Sequence, residues 1–303
     1  MPVKIALAQL GSCWGCYQSF LDNYEGLLDI LPELEIVFWH TVTDFKYKDL
    51  ESYEDGSIDV GTIEGVCRTE EDLHILKLMR KKCKVLISLG SCSTYGGIYG
   101  LLNLYTMDEA LKRKFIEAES VEEPTIPDED VPKMLDFIVP NRKIVEFDAF
   151  LPGCPPTKED IANALVGLLK GELPPPPKRT LCDECPREKS EVITIRQLKR
   201  DYEGIPDPDK CLLEQGYICM GPATREGCGA LCTSAGVPCR GCYGPGPNVI
   251  DQGAKMISAL GSIVDYEVIS PEELVEKVGD AAGTFYNFFL PSGIISKTVR
   301  KAK

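Results

Sequence analysis

Apolar and polar positions along the first 170 residues follow a pattern typical of alternating strands and helices. Apolar runs predict five strands, at residues 3–10, 35–40, 58–63, 85–89 and 144–147. Apolar spacings of three and four predict helices at residues 17–31, 69–81 and 158–170, the second of which begins with a capping box of Thr69 and Asp72. Strands that alternate with helices favour an α/β fold, in which helices cover both faces of a parallel sheet.

The pattern changes after the four prolines at residues 174–177, which form a stiff spacer. We therefore predict two domains, residues 1–173 and residues 174–303. Residues 181–247 are rich in Cys, Gly and Pro and show no sustained periodicity. Metal binding, rather than apolar burial alone, is expected to hold this segment together.

Three other segments stand out by their pattern. Helical periodicity returns at residues 249–260 and 271–283. An apolar, aromatic run at residues 285–290 forms either a docking surface or part of the core. Within the first domain, residues 101–141 are acidic and contain prolines, which predicts an exposed insertion.

The chain is acidic, with a formal net charge of −14 over 303 residues and a pI of about 4.8. Such a surface repels phosphate backbones and anionic lipids, which argues against nucleic acid and membrane surfaces as partners. No apolar run is long enough to span a bilayer, and the first ten residues lack the basic and apolar segments of an export signal. We therefore expect a cytoplasmic protein.

Cysteine is the residue type that most changes this picture. Fourteen cysteines accompany only two histidines, His40 and His74. A disulfide scaffold would be shorter and exported, so closely spaced thiols in a reducing compartment indicate metal. With so little histidine available, the metal sites should be held by thiolates alone.

Four of the cysteines follow predicted strands of the first domain. Cys13 and Cys16 come after the first strand, Cys92 after the fourth and Cys154 after the fifth. The carboxyl ends of parallel strands meet at one edge of a sheet, so these thiols should converge there. Four thiolates are the number that a [4Fe–4S] cluster needs. A thioredoxin-like redox pair at Cys13 and Cys16 is the alternative, although it would leave Cys92 and Cys154 without a role.

Eight more cysteines follow the proline spacer, and eight make two sets of four. They include two Cys-x-x-Cys pairs and one pair about a helical turn apart. The eight are Cys182, Cys185, Cys211, Cys219, Cys228, Cys232, Cys239 and Cys242. The spacing predicts two metal sites, held either as iron–sulfur clusters or as Cys₄ zinc sites. The remaining Cys67 and Cys83 are predicted to be apolar packing residues, although Cys67 follows the third strand at the same sheet edge.

Glu64, at the end of the third predicted strand, has two interpretations. It either lies beside the first cluster, where it supports the ligands or handles protons, or it is a solvated loop residue. The sequence contains no Ser–His–Asp set, phosphate-binding loop or dinucleotide fingerprint. We therefore expect the chain to perform no bond chemistry of its own.

Four motifs at the predicted strand ends carry a family resemblance. They are Gly11-Ser12-Cys13-Trp14-Gly15-Cys16, Glu64-Gly65, Gly90-Ser91-Cys92 with Gly96-Gly97, and Pro152-Gly153-Cys154-Pro155-Pro156. Together they resemble the small subunit of [NiFe] hydrogenases. This resemblance implies a flavodoxin-like, doubly wound domain, with a C-terminal domain that is irregular and rich in iron–sulfur clusters. A subunit of the complex I type would instead have adjacent cysteines at the first motif, where this chain has Trp14 and Gly15 in between.

The resemblance implies three [4Fe–4S] clusters and a large subunit that carries the nickel–iron site. The proximal cluster would bind to Cys13, Cys16, Cys92 and Cys154. The medial cluster would bind to Cys228, Cys232, Cys239 and Cys242. The distal cluster would bind to Cys182, Cys185, Cys211 and Cys219. The eight C-terminal ligands could also be divided differently, because neighbouring segments of cluster proteins exchange ligands.

Within this family, the chain most resembles the small subunit of the methanogens' viologen-reducing hydrogenase. The resemblance lies in the all-cysteine ligation, the length and the absence of an export signal. That likeness implies electron transfer to a [2Fe–2S] subunit and then to heterodisulfide reductase. The small subunit of the deazaflavin-reducing hydrogenase remains the nearest alternative. A zinc-stabilised structural protein is the alternative outside the family.

Overall fold

The computed structural model describes residues 2–296. By the contacts among their residues, these divide into two compact units. Unit 1 comprises the chain up to Pro174 together with the segment from Leu290, and unit 2 comprises Pro175–Phe289. Across the described residues, none of the helices is both long and apolar enough to cross a membrane.

Unit 1 is built on a five-stranded sheet whose order is β2-β1-β3-β4-β5. All of its strand pairs are parallel. The strands are β1 (Val3–Gln9), β2 (Leu34–Trp39), β3 (Ile58–Glu64), β4 (Cys83–Leu89) and β5 (Ala149–Leu151). This parallel sheet with its interleaved helices confirms the predicted α/β fold, and the strand order is the flavodoxin-like one.

The helices of unit 1 lie between the strands in the sequence, except for the last, which follows β5. They are α1 (Gly15–Leu21), α2 (Glu25–Ile30), α3 (Tyr47–Ser52), α4 (Glu70–Lys82), α5 (Gly90–Tyr95), α6 (Met107–Phe115) and α7 (Lys158–Leu169), with 3₁₀ turns at Leu31–Glu33, Ile98–Leu104, Asn141–Lys143 and Leu290–Ser292. The Thr69–Asp72 capping box predicted for α4 is present.

Unit 2 has fewer regular elements over its first half. Its helices are α8 (Leu231–Ser234), α9 (Gln252–Ile263), α10 (Pro271–Val278) and α11 (Ala281–Phe285), with 3₁₀ turns at Leu181–Asp183 and Gly221–Ala223. Between Pro175 and Asp251 the chain therefore follows an irregular path, with α8 and the two short turns as its regular elements.

The two faces of the sheet bury separate apolar cores. Ala6 and Ala8 of β1 belong to a core that includes residues of α4, whereas Ile5 and Leu7 belong to a second core that includes residues of α1 and α7. Alternate residues of a strand point to opposite faces, so β1 contributes to both cores. The sheet is therefore covered on both sides. Cys67 and Cys83 are buried in the core that contains α4, which confirms the prediction that they are packing residues.

Three predictions of regular structure in this chain are wrong. The helix predicted at residues 17–31 is two helices, because Tyr24 adopts a φ of 45° between α1 and α2. The fifth strand lies at Ala149–Leu151 rather than at residues 144–147, since Ile144, Val145 and Phe147 pack against the core instead of joining the sheet. The helix predicted at residues 271–283 is interrupted after Val278 by Gly279, whose φ is 66°.

The structure also tests two predictions about which segments are exposed to solvent. The aromatic run at residues 285–290 is core rather than docking surface, because Phe285, Tyr286, Phe289 and Leu290 are all buried. The acidic insertion is exposed along α6, which has no buried residues. Its two ends are anchored, however, since buried Asn103 and Ile138 exchange hydrogen bonds of 2.8 Å in both directions.

The segment Leu290–Ser292 completes unit 1. Pro291 lies against Gly96, where an added Cβ would come within 2.5 Å of the proline ring. The Ser292 hydroxyl donates a 3.0 Å hydrogen bond to the carbonyl of Tyr95, at the end of α5. The fold of unit 1 therefore uses residues that follow unit 2 in the sequence.

Candidate metal centres

The carboxyl edge of the sheet carries the four predicted N-terminal ligands. Cys13 and Cys16 lie in the turn from β1 into α1, Cys92 lies in α5 directly after β4, and Cys154 follows β5. The parallel sheet therefore brings three strand ends to the same edge. Cys16 and Gly90 are in close approach, since a Cβ added at Gly90 would overlap the Cys16 sulfur.

These four thiols are near enough to influence one another electrostatically. Burial raises the pKa of Cys16 well above its usual range, and nearby Glu64 and then Cys92, Cys154 and Cys13 raise it further. Burial likewise raises the pKa of Cys92 to about 12, with added contributions from Cys154 and Cys13. Cys16 is buried, whereas Cys13 and Cys154 are exposed. The structure thus gathers the four thiols and leaves one side of the group open.

Glycines and a serine shape the backbone around this group. Gly97 has a φ of 54°, and a Cβ there would lie 2.5 Å from the Cys92 sulfur. The amide of Ser91 donates to the carbonyl of Gly153 at 2.8 Å, and the amide of Gly153 donates to the Ser91 hydroxyl at 3.0 Å. These reciprocal bonds hold the Cys92 loop against the Cys154 loop.

Glu64 lies beneath the Cys13–Cys16 turn and is only 1% exposed. Its carboxylate accepts hydrogen bonds from the amides of Tyr17, at 3.1 Å, and Cys16, at 3.4 Å. Burial raises the pKa of Glu64 above its usual value, against the lowering effect of the Tyr17, Cys16 and Ser12 hydrogen bonds. The solvated-loop interpretation is therefore wrong, and Glu64 supports the backbone of a predicted ligand. Its role toward protons stays a prediction.

Sequence reasoning missed two polar residues that fix this edge. Buried Asn141 donates to the carbonyl of Gly65 at 2.9 Å and to the Ser93 hydroxyl at 3.2 Å, and it accepts from the amide of Cys67 at 3.3 Å. The Tyr17 hydroxyl lies 3.0 Å from the carbonyl of Ala8. Asn141 is separated from its partners by 48 to 76 positions, so no local pattern could reveal it.

In unit 2, one group of predicted ligands lines a single pocket. Its lining includes Cys182, Cys185, Cys211 and Cys219 together with the apolar Leu181, Leu212 and Leu213. A Cβ added at Gly221 would lie 3.1 Å from the Cys182 sulfur and 3.6 Å from the Cys219 sulfur. The pKa of Cys182 is raised to about 12, mainly by burial and also by nearby Cys219, while Lys189 acts to lower it.

The other four cysteines of unit 2 interact in pairs. Burial raises the pKa of Cys239, with smaller effects from Cys219 and Cys242, whereas the hydrogen bonds that the sulfur makes with the Gly241 amide and the Thr224 hydroxyl lower it. Burial also raises the pKa of Cys228, to which Glu184 and Cys232 contribute.

The two predicted sets of unit 2 meet at one point. The amide of Cys239 donates a 3.3 Å hydrogen bond to the sulfur of Cys219. These two cysteines belong to different predicted clusters, and both are buried. A direct N–H···S contact therefore joins the two predicted sets of cysteines.

Two charged residues support the cysteine loops, and no pattern in the sequence indicated either of them. Glu184 accepts hydrogen bonds from the amides of Gly227, at 2.8 Å, and Gly229, at 3.2 Å, on both sides of Cys228. Buried Arg187 donates to the carbonyls of Thr233, at 2.7 Å, and Lys210, at 3.0 Å, which neighbour Cys232 and Cys211. Glu184 and Arg187 thus tie the Cys182–Cys185 region to the backbone next to Cys211 and on either side of the Cys228–Cys232 pair.

The donor set agrees with the chemistry of an iron–sulfur cluster. Thiols supply the whole set at the sheet edge and in the unit 2 pocket, and four thiolates are what a [4Fe–4S] cluster requires. Within residues 2–296, no three His, Cys, Asp or Glu side chains are arranged to hold a metal ion.

Comparisons with known proteins agree with this picture. Residues 13–168 match the family described as NADH ubiquinone oxidoreductase, 20 Kd subunit. The chain is 45% identical over 296 residues to a subunit of the F420-non-reducing hydrogenase (vhu) of Methanococcus voltae, covering 97% of this chain and 98% of the relative. It is 42% identical to the corresponding subunit of the F420-non-reducing hydrogenase of Methanothermobacter marburgensis, covering 99% and 98%. A solved NAD⁺-reducing [NiFe]-hydrogenase chain superposes with a TM-score of 0.53 at 30% identity, covering 58% of this chain and 96% of that one.

A parallel sheet with thiols gathered at its carboxyl edge, in a chain with these relatives, defines the class as the hydrogenase small subunit. Such subunits are components of oxidoreductase complexes and act together with a large catalytic subunit. The chain belongs to the family of these F420-non-reducing hydrogenase subunits, as its identity to them over nearly its whole length shows. The resemblance predicted from the four sequence motifs is confirmed.

Proposed function

We propose that this chain is the electron-relay subunit of a [NiFe] hydrogenase and that it carries three [4Fe–4S] clusters. The observation that carries the proposal is the convergence of Cys13, Cys16, Cys92 and Cys154 at the sheet edge of a hydrogenase small subunit. When bound, each cluster would take up and release one electron at a time. The chain's own residues would hold and insulate the clusters and set their potentials.

The proximal cluster would bind to the four thiols at the sheet edge, with Glu64 supporting the turn that contains Cys16. The exposure of Cys13 and Cys154 suits a site that faces another subunit. We propose that the large subunit, where dihydrogen is split, covers this edge. A role for Glu64 in proton handling belongs to the same proposal.

The second domain, residues 174–303 in the sequence-based division, would hold two further clusters. The distal cluster would bind to Cys182, Cys185, Cys211 and Cys219, and the common pocket of these thiols supports that set. The medial cluster would bind to Cys228, Cys232, Cys239 and Cys242. The Cys219–Cys239 contact supports the placement of the two clusters next to each other.

We propose that electrons leave toward a [2Fe–2S] partner subunit and then heterodisulfide reductase, in the cytoplasm of a methanogen. The support is the F420-non-reducing character that the relatives' names state, F420 being the deazaflavin coenzyme. The complete complex should therefore couple dihydrogen oxidation to viologen reduction and leave F420 unreduced. Reduction of F420 by the complex would favour the deazaflavin-reducing alternative.

Metal analysis of the anaerobically purified protein tests the cluster assignment. We expect a brown protein with about twelve irons per chain, from three clusters of four. Cys154→Ala should lose about four of these irons, whereas Cys83→Ala, which changes a core thiol, should lose none. A colourless protein that contains zinc would refute the proposal and favour the structural alternative.

A further inference from the structure

Behind Cys239 lies a small buried polar network that the proposed relay does not explain. Thr224 and Gln252 are each only 1% exposed, although both side chains are polar. Polar groups buried to this extent are costly unless they are hydrogen-bonded. The partners of these two side chains therefore indicate what the network holds in place.

Gln252, at the start of α9, is the anchor of the network. Its side-chain amide donates to the Thr224 hydroxyl oxygen at 3.2 Å and to the carbonyl of Gly241 at 3.1 Å. Gly241 lies within the Cys239–Cys242 turn, so the same amide fixes both this turn and the hydroxyl. A Cβ at Gly241, where φ is 83°, would come within 3.0 Å of the Gln252 amide nitrogen.

The Thr224 hydroxyl faces the Cys239 sulfur. The Cys239 S–H donates to the Thr224 hydroxyl oxygen at 3.7 Å, and that hydroxyl donates to the carbonyl of Met220 at 2.7 Å. The Gly241 amide also donates to the same sulfur, at 3.4 Å. The sulfur thus has one backbone donor and one hydroxyl beside it.

Metal ligation changes the proton balance at this sulfur. A ligating cysteine gives up its proton and becomes a thiolate, which can only accept hydrogen bonds. The Thr224 oxygen, which accepts from the thiol, would then face a negative sulfur. Rotation about the Thr224 Cβ–Oγ1 bond redirects the hydroxyl proton from Met220 to the sulfur, while Gln252 continues to hold the oxygen. The hydroxyl keeps its proton throughout.

We propose that Thr224 is a positioning residue whose hydroxyl, held by Gln252, hydrogen-bonds the Cys239 thiolate and raises the reduction potential of the cluster that Cys239 binds. The inference rests on the proposed function, since it requires a cluster at Cys239. On reduction the cluster would gain one electron from its electron donor and with it one negative charge, which the hydrogen bond would stabilise; on reoxidation it would pass that electron on. Hydrogen bonds to cluster sulfurs are an established means of setting such potentials.

The test is a redox titration of the intact hydrogenase complex, monitored by electron paramagnetic resonance. Thr224→Val keeps the shape of the side chain and removes the hydroxyl, so it should make reduction of one cluster about tenfold less favourable, or about 59 mV for one electron. Thr224→Ser keeps the hydroxyl and should restore the potential. Thr284→Val is the matched control, because Thr284 is also buried in unit 2, and it should leave all three potentials unchanged.

The outcomes separate this inference from the proposed function. Equal potentials in the wild type and Thr224→Val would overturn the role of Thr224 and leave the relay intact. A wild-type complex without an iron signal from unit 2 would instead overturn the relay itself. If Thr224→Val fails to retain iron, the Gln252→Met variant tests the proposal instead, because it keeps Thr224 but removes the amide that holds the hydroxyl. The reduction potential of the same cluster should also fall in this variant. A potential equal to that of the wild type would refute the proposal.

Discussion

Unit 1 and unit 2 hold their cysteines in different ways. In unit 1, the ligand loops project from a sheet that two apolar cores already stabilise on its opposite faces. In unit 2, the cysteine loops between Pro175 and Asp251 contain little regular structure, and side chains such as Glu184 and Arg187 tie them together. The first site is therefore built on a scaffold that can exist before metal arrives. We expect the cysteine-rich part of unit 2 to depend more on bound metal for its order.

Removal of iron should give the largest effect. We expect chelation under oxidising conditions to abolish protection from hydrogen exchange across residues 182–242, whereas the amides of β1, β3 and β4 stay protected. Metal binding contributes on the order of 10 kcal/mol to the folding of small metal-dependent domains, which is comparable to the whole stability of a typical domain. Hydrogen exchange followed by mass spectrometry measures both regions in one sample. Equal loss of protection in the two units would contradict the difference between them.

A core substitution in unit 1 should give the next largest effect. Leu76 of α4 is fully buried, so Leu76→Ala should lower the free energy of unfolding of unit 1 by about 2–5 kcal/mol. The iron content of unit 2 should remain unchanged. Denaturant titration of the circular dichroism signal, together with iron analysis, checks both expectations. The matched control is Ile116→Ala, since Ile116 is 40% exposed and its truncation should cost far less. Iron loss from unit 2 in the Leu76 variant would show that the two units are not independent.

The smallest effect concerns pH. Burial raises the pKa of Cys83 to about 12, from an ordinary thiol value of 9.0. The folded state therefore keeps this proton to higher pH than the unfolded state does. The resulting contribution to stability is complete below pH 9.0 and is lost as the pH rises toward about 12.

Cys83→Ala should consequently flatten the decline in unit 1 stability over that pH range, although it lowers stability at neutral pH by creating a cavity. Denaturant midpoints measured at several alkaline pH values test this expectation. Ile75→Val makes a smaller cavity in the same core without removing a titratable group, so its curve should run parallel to that of the wild type. A parallel curve for Cys83→Ala would show that the thiol does not contribute to the pH dependence.

The sequence predicted the strands of the sheet centre well, because their residues are buried and their apolar runs are continuous. It misplaced β5, which has only three residues, and indicated instead the apolar stretch around Ile144 and Val145. That stretch is apolar because it packs against the core, and packing alone does not distinguish a strand from a loop. Strand pairing depends on partners far away in the sequence, and the residues of one short segment do not identify those partners.

The candidate sites, like the fold, were predictable only in part from the sequence. One cysteine pair and two single cysteines next to strand ends indicated the first group, because the geometry of parallel sheets fixes where strand ends meet. The polar residues that support the sites could not be found in this way. Asn141, Arg187 and Thr224 each act through contacts with distant segments or with backbone atoms, for which the sequence has no short-range signature. Their identification required the three-dimensional arrangement.

The return of the chain to unit 1 at Leu290–Ser292 has a consequence for biosynthesis. A ribosome makes all of Pro175–Phe289 before it makes the residues that cover Gly96 and cap the Tyr95 carbonyl. The nascent sheet can assemble early, but the surface beside Cys92 receives its final covering only after every cysteine of the polypeptide has been synthesised. Translation order alone therefore delays the covering of the surface beside Cys92 until all the other cysteines have been made.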